Sequence, residues 1–458
     1  MENAQQVDPD QLGSLCDILS HKNSLCAEFR IALEDNMTNL ARADVFTDAS
    51  VAQTPYDYLE ALRVNGPITP LGFRNVIAVT GYDEGVAIYK DDIHFSAINT
   101  VTGPFLPLEY DPARSIDEQI EECRAANPYL GMIMSEDEAA HARSKTILNG
   151  IITPARLKAN EEYMYELADE IIDEIIDRDI FNVVADLGAP FAQLTVADLM
   201  GIPKEDNEMV RSLTADPSQL PGNVGGTFDM GTNPLARMGM AFYGYIAERR
   251  ANPRDDVLTR MAQQRFDDGT LPSIEEVVGL ATFLFGAGQD TTVQLFAAML
   301  RQLSDEPELA DRLRAEPARI ADFVDETLRL FGTSKATFRY VRQPVTIGGF
   351  DFEPGQHVML HTLGMNRDPR RFEDPARFDI DRKNGRTHVA FGRGLHACAG
   401  APLARAEGRI AIERLLVRMK NIRISDARHG PKGARNFTFL PNYSLLGVTE
   451  QWMEFDRA

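Results

Sequence analysis

Residues 391–402, near the C-terminal end, constrain this chain more than any other stretch. They read Phe391, Gly392, Arg393, Gly394, Leu395, His396, Ala397, Cys398, Ala399, Gly400, Ala401 and Pro402. Three glycines so close together mark backbone that turns tightly or approaches something flat and bulky. The sequence then becomes helical, from Pro402 through Leu403, Ala406 and Ile410 to Leu415. Proline favours the first helical turn, which puts Cys398 at or just before a helix N-terminus. Free N–H groups and the positive dipole end stabilise a thiolate there. A thiolate in a glycine-rich loop beside Arg393 and His396 suits a metal in a large anionic cofactor. A buried structural cysteine is the commoner fate of a lone Cys, and spacing alone leaves both readings open.

The formal net charge of −22 over 458 residues argues against a nucleic-acid partner. Cys16, Cys26, Cys123 and Cys398 show no disulfide or metal-finger spacing, which fits a reducing cytoplasm. The N-terminus has no basic and apolar signal-peptide pattern. The apolar run 277–288 is shorter than the roughly 20 residues that span a bilayer, so no membrane anchor is expected. No repeat or linker divides the chain. The expectation is one domain over 1–458, mainly α with a smaller β-rich part.

Residues 1–46 are an N-terminal extension with loose helical periodicity from 12 onward and no nameable chemistry. Strand-like sequence occupies 67–80, 337–361 with a Gly348-Gly349 turn, and 437–455. Between 97 and 135 lies a long irregular stretch whose Val101, Phe105, Leu106 and Leu108 suit a substrate cover. Helical pattern dominates 136–330, interrupted by the Pro- and Gly-rich segment 217–234, a candidate lid. The clearest helix is 273–305, opened by a Ser273/Glu276 capping box. At its centre stand Gly286, Ala287, Gly288, Gln289, Asp290, Thr291 and Thr292, poor helix formers that imply an override of local propensity.

The loop at Phe391, Gly394, His396, Cys398 and Gly400 resembles the haem-binding signature of the cytochrome P450 family. The rest of the chain carries the resemblance further. Ala287–Thr292 is similar to the family's distal-helix motif, Glu326 and Arg329 to its Glu-x-x-Arg clamp, and residues 365–378 to the meander that completes the clamp. The resemblance implies a P450 fold with haem b between the 273–305 helix and the Cys398 loop. Cys398 is then the iron ligand. Thr291 would hydrogen-bond the bound oxygen and Asp290 gate its proton supply. His141, Lys145, Arg339 and His396 would hold the haem propionates, with Lys145 standing where the family has arginine and so lacking its fork. Arg342 is an alternative to Arg339. Segments 97–135 and 217–234 would give substrate access.

The implied activity is a monooxygenase that inserts one oxygen atom from O2 into a mainly apolar organic substrate. No flavin, dinucleotide or iron–sulfur pattern is visible. By resemblance, electrons come from NAD(P)H through a reductase and a separate ferredoxin to a monomer. Arg143, Lys145, Arg393, Arg405 and Arg409 would form a basic patch for that carrier. A haem-thiolate peroxygenase or isomerase with no redox partner is the alternative. The pocket candidates are Phe283, Gly286, Ala287, Lys335 and Leu445. Lys335 stands where the family has apolar lining; either it pairs with a substrate carboxylate or other polar group, or it turns away to solvent or a haem propionate.

Overall fold

The computed structural model describes residues 39–53, 55–148, 151–213, 224 and 234–458. Its main helices are α1 (Ala49–Gln53), α2 (Pro55–Val64), α3 (Tyr82–Tyr89), α4 (Ile116–Ala126), α5 (Glu138–Leu148), α6 (Pro154–Ile175), α7 (Ala189–Met200), α8 (Pro234–Ala251), α9 (Ile274–Asp305), α10 (Ile320–Phe331) and α11 (Ala401–Arg418). The strands are β1 (Ile68–Pro70), β2 (Val76–Val79), β3 (Phe95–Ser96), β4 (Ile180–Asn182), β5 (Thr337–Val341), β6 (Val345–Ile347), β7 (Phe350–Phe352), β8 (His357–Leu360), β9 (Met419–Ile424) and β10 (Trp452–Arg457). One sheet has the order β1-β2-β8-β5-β3, parallel only between β2 and β8; a second runs β4-β10-β9. The fold is mainly α with a smaller β part, as the sequence implies.

Local signals place the elements that matter. The Ser273 hydroxyl accepts from the Glu276 amide at 3.0 Å, and the Glu276 carboxylate accepts from the Ser273 amide at 2.7 Å. This reciprocal cap starts α9 where the pattern predicted. Gly348 and Gly349, at φ +58° and +79°, close the β6–β7 hairpin; a two-residue turn with both φ positive matches strand twist. α9 runs through the middle of the main apolar core and packs beside α7, α8, α10 and α11.

Three expectations are corrected. The 97–135 stretch is not irregular throughout: Ile116–Ala126 is helical, with Ile120 and Cys123 buried in a small cluster with Ile98, Leu106, Leu130 and Tyr340. Prolines on both flanks and a polar composition hid its periodicity. The helical region 136–330 contains β4, whose three residues take their partners from β10; β9 was also missed. Val183–Met200, not 277–288, has the length and hydropathy of a membrane span, but 72% of it is buried inside the protein. Segment 217–234 lies outside the described residues except for Val224 and Pro234, as does most of 1–46.

Behind the Cys398 loop, Glu326 and Arg329 form a fully buried pair, 1% and 0% exposed. All five guanidinium donors of Arg329 are used. Nε and Nη2 donate to Glu326 at 2.8 and 2.7 Å, Nη1 to the carbonyls of Asn366 and Pro375, and Nη2 also to that of Arg377. Glu326 further accepts from Arg382 and the Asp379 amide. The Asn366 side chain then accepts from the Val389 amide at 2.7 Å, two residues before Phe391. The clamp therefore fixes where the loop begins.

Breaking a buried pair strands a charge, whereas losing an exposed pair costs little. Glu326→Gln should lower unfolding stability by about 3–5 kcal/mol in urea titrations. Arg312→Gln, which removes an exposed pair with Asp381, should cost less than about 1 kcal/mol.

Candidate active site

The Cys398 loop is folded back on itself: the Cys398 amide donates to the Phe391 carbonyl at 2.9 Å. Gly394 (φ +73°) lets the backbone touch α3, because a Cβ there would lie 2.0 Å from the Tyr89 carbonyl oxygen. Pro402 lies in the first turn of α11, and Gly400 is its N-cap. The amides of Gly400 and Ala401 donate to the Cys398 sulfur and, with Arg405, draw the thiol down; burial pushes it up further than they lower it. The Arg405 guanidinium lies 4.7 Å over the Phe391 ring and donates to Asp325 at 2.8 Å. Asp325 also faces His388 at 3.2 Å, so the rear of the loop is firmly packed.

Four basic side chains converge from three elements. α5 supplies His141 and Lys145, β5 supplies Arg339, and the loop supplies His396. The two imidazoles meet at 4.5 Å between centroids. Burial, then the positive charges of Arg339, His141 and Lys145, pushes His396 down to about 2. Burial and Lys145 lower His141. The Nδ1 atoms of both histidines are buried without a hydrogen-bond partner. Arg339, 2% exposed, donates only to the Phe338 carbonyl and the Thr100 hydroxyl. Among the described residues none of the four forms an ion pair. Arg342, the alternative to Arg339, is engaged elsewhere by Asp117 and Glu138.

Such clustered, unpaired bases are costly unless an anion sits among them. Two carboxylates on the edge of a flat cofactor, with a thiolate ligand beside them, satisfy that requirement. The residues present fit haem.

On α9, Phe283, Ala287 and Thr291 are four apart and share one helix face. Ala287 and Thr291 are exposed although Phe285, Gln289 and Thr292 around them are buried. In the middle of a core helix, that exposure means they face solvent-accessible space. The Thr291 hydroxyl donates to the Ala287 carbonyl at 2.9 Å, and α9 continues as an unbroken helix through the motif rather than opening there. Asp290 has no hydrogen-bond or ion-pair partner among the described residues, and burial raises its carboxyl to about 6. Both glycines serve helix packing. A Cβ on Gly286 would lie 2.8 Å from Leu235 of α8, and one on Gly288 2.7 Å from Val196 of α7. Gly286 is thus covered by Leu235 and is a weaker pocket candidate than its neighbours.

Lys335 does not face the pocket. It is 2% exposed, and its amine donates to the Ala52 carbonyl in α1. Burial lowers it to about 7. The backbone around it explains the direction: the Lys335 amide donates to the Ser444 carbonyl at 2.7 Å, and Ser334 bridges Leu445. These contacts leave the side chain pointing toward α1. Leu445 is half-buried beside this bridge. The Thr333 hydroxyl donates to the Thr291 carbonyl, tying the turn to the distal helix.

Sequence reasoning missed Glu407. It is 1% exposed on α11 and accepts a 2.8 Å hydrogen bond from the Thr292 hydroxyl, while its second oxygen has no partner. Burial pushes its carboxyl up to about 8. The signal was available: Leu403, Ala406, Ile410 and Ala411 place position 407 in the apolar phase of the helix.

The sequence model of the cytochrome P450 family matches residues 244–427. A crystal structure of Mycobacterium marinum cytochrome P450 CYP150A6, substrate-free, is 40% identical over 92% of this chain and all of that one, with a TM-score of 0.85. The chain belongs to the cytochrome P450 family. Cyclomarin C epoxidase CymV of Salinispora arenicola is 32% identical over 64% of this chain and 75% of its own length. The biotin biosynthesis cytochrome P450 of Bacillus subtilis is 29% identical over 82% of this chain and 91% of its own. This P450 is therefore a haem b-dependent monooxygenase, an oxidoreductase that takes an organic substrate, O2 and electrons from a redox partner.

Glu407 generates a pH prediction. Its folded-state value near 8 exceeds the unfolded value near 4.5, so the folded state holds the extra proton. Stability is then lost as pH rises from about 4.5 to about 8. Glu407→Gln keeps an acceptor for Thr292 and removes the titration. Urea denaturation should show the variant gaining on the parent across that window, then running parallel to it.

Proposed function

We propose that this P450 uses O2, two protons and two electrons from NAD(P)H, delivered by a reductase and a ferredoxin, to oxygenate a small, mainly apolar molecule. One oxygen atom enters the substrate and the other leaves as water. A monomer in the cytoplasm is the form this reading assigns. The observation that carries it is the set of four bases, His141, Lys145, Arg339 and His396, without an ion pair among the described residues and gathered on the Cys398 loop through His396. When bound, haem supplies O2 activation, with the thiolate donating electron density that favours O–O cleavage.

The chain's own residues do the rest. Arg339, the two histidines and Lys145 hold the haem carboxylates. Asp290 can carry a proton near neutral pH because burial has raised its carboxyl to about 6. The Thr291 hydroxyl already donates to the Ala287 carbonyl, which leaves its oxygen lone pairs free to accept a proton donor's hydrogen bond. Phe283 and Leu445 give the pocket its apolar character, and residues 97–108 cover it.

Support for an acidic carrier is narrower than the sequence suggests. Arg143 pairs with Glu276, Arg409 with Glu161, and Arg393 donates to the carbonyls of Gly392, Thr387 and His388. Behind the loop lies a depression of about 340 Å³ where Arg386, Arg405 and Arg409, already paired with Asp325 and Glu161, join Ala321, Val324, Pro402 and Ala406, so its fit to a carrier rests on shape more than on free charge. Ferredoxin docking over this face would bring its cluster close to Cys398.

Two measurements test the reading. The reduced, CO-treated holoenzyme should show the red-shifted Soret band of a thiolate-ligated haem, and Cys398→Ser should lose it. With NADH, reductase and ferredoxin, Thr291→Ala should keep consuming NADH but release hydrogen peroxide in place of product. Asp290→Asn should slow turnover overall. Unchanged coupling and rate in both variants would remove the pair from the mechanism, and full turnover with peroxide alone would favour the peroxygenase reading.

A further inference from the structure

The segment 39–53 is packed into the apolar cluster beneath the 97–108 loop rather than trailing from it. Phe46 is 1% exposed and is the hub of four ring contacts. It meets Phe73 at 6.1 Å and Phe105 at 6.3 Å edge-on, Phe338 at 6.1 Å, and Tyr443 at 5.1 Å edge-on. Those partners come from the β1–β2 turn, the loop before α4, strand β5 and the C-terminal turn. Val224 packs against the same cluster, and its amide donates to the Pro441 carbonyl at 2.7 Å.

The loop 97–108 rests directly on these rings. Gly103 has φ +56°, and a Cβ there would lie 3.2 Å from Tyr443 and 3.3 Å from Phe338. The Tyr443 hydroxyl donates to the Thr102 carbonyl at 3.3 Å. From outside, the Arg74 guanidinium covers Phe105 at 4.6 Å while lying 3.6 Å from Asp44. The loop's other end is tied to the haem cage. The Asn99 amide donates to the Arg339 carbonyl at 3.1 Å, and the Thr100 hydroxyl lies 3.3 Å from the Arg339 guanidinium. The Lys335 amine makes a second tie, to Ala52 of α1.

One end of this loop is therefore fixed by polar bonds beside the cofactor residues. The other is held by Phe105, whose ring meets Phe46 at 6.3 Å and Tyr443 at 6.1 Å, and by the Tyr443 hydrogen bond to Thr102; Phe46 in turn packs against Tyr443 and Phe338 and so backs the whole contact. Lifting the loop means sliding Phe105 and Gly103 off Phe46, Tyr443 and Phe338. Asn99 at the polar end is fully buried whereas Phe105 is 46% exposed, so the aromatic end is the one that opens first.

We propose that Phe46 is a specificity-determining positioning residue: residues 39–53 form the outer wall of the substrate entrance, and Phe46 sets how far the 97–108 loop lifts. The proposal rests on the monooxygenase reading above. It assigns the entrance selectivity by bulk. Ligands too large to pass under the resting loop must displace its aromatic end, and ligands the size of imidazole need not.

Stopped-flow Soret spectroscopy on the haem-loaded protein tests this with imidazole and with clotrimazole, a bulky multi-ring azole. In Phe46→Ala, clotrimazole should enter and leave about ten-fold faster, the scale of one or two lost aromatic contacts. Imidazole rates should stay within about two-fold, since it uses no loop displacement. Phe105→Ala, a change at a side chain 46% exposed, should act in the same direction, and it decides the matter alone if Phe46→Ala does not fold. Equal acceleration of both azoles, or of neither, would overturn the proposal. Absence of the thiolate-ligated CO band in the unaltered protein would instead overturn the haem-thiolate reading beneath it.

Discussion

The structure depends on a cluster of basic side chains, two of them imidazoles held neutral by burial, that has no carboxylate partner among the described residues. The chain carries a net −22, and most of its arginines have found carboxylates: α11 alone sends Arg409, Arg414 and Arg418 to acids on α6. Against that background Arg339, His141, His396 and Lys145 stand out because, among the described residues, they have none. A protein with acid to spare could have neutralised them, at the expense of any anion that must bind there. Burial makes the omission expensive, since it has already driven His396 down to about 2. A dianionic edge is what turns this arrangement from a liability into a binding site.

Two helices carry the chemistry across that site, and they are coupled. α9 presents Ala287 and Thr291, while α11 begins at the Cys398 loop. The Thr292–Glu407 hydrogen bond joins them within the core. Thr291 faces the site and Thr292, one residue on, faces the opposite helix. Rotating α9 to improve one contact would therefore disturb the other. The Glu326–Arg329 clamp does similar work behind the loop by fixing its start through Asn366 and Val389. Precision at Cys398 comes from these remote buried bonds more than from the loop's own glycines.

Much of this was legible because the signals are short-range. The Ser273 capping box, the Gly348-Gly349 turn and the glycine-rich loop each depend on residues a few positions apart, and all three formed where expected. What failed depended on distant partners. β4 exists because β10 pairs with it from some 270 residues away. The Gly286 and Gly288 positions read as pocket or motif, but Leu235 and Val196 are what require their missing side chains. The choice between Arg339 and Arg342 was open in sequence; the ion pairs of Arg342 with Asp117 and Glu138 favour Arg339. The basic patch looked continuous because its members are near in sequence; in space most are already paired.

Lys335 shows how one tertiary contact inverts a sound local argument. A lysine among apolar positions is costly to bury charged, which made a substrate carboxylate an attractive partner. The structure supplies a different one. Ala52 lies in the last turn of a five-residue helix, where carbonyls lack intrahelical donors and a basic group is favoured. The amine satisfies that carbonyl, and burial lowers its value to about 7. The bond does not need the charge, because a neutral amine still donates. Near neutral pH the lysine can thus give up its proton and keep its grip on α1. The residue that departs from the family pattern serves to hold α1 in place.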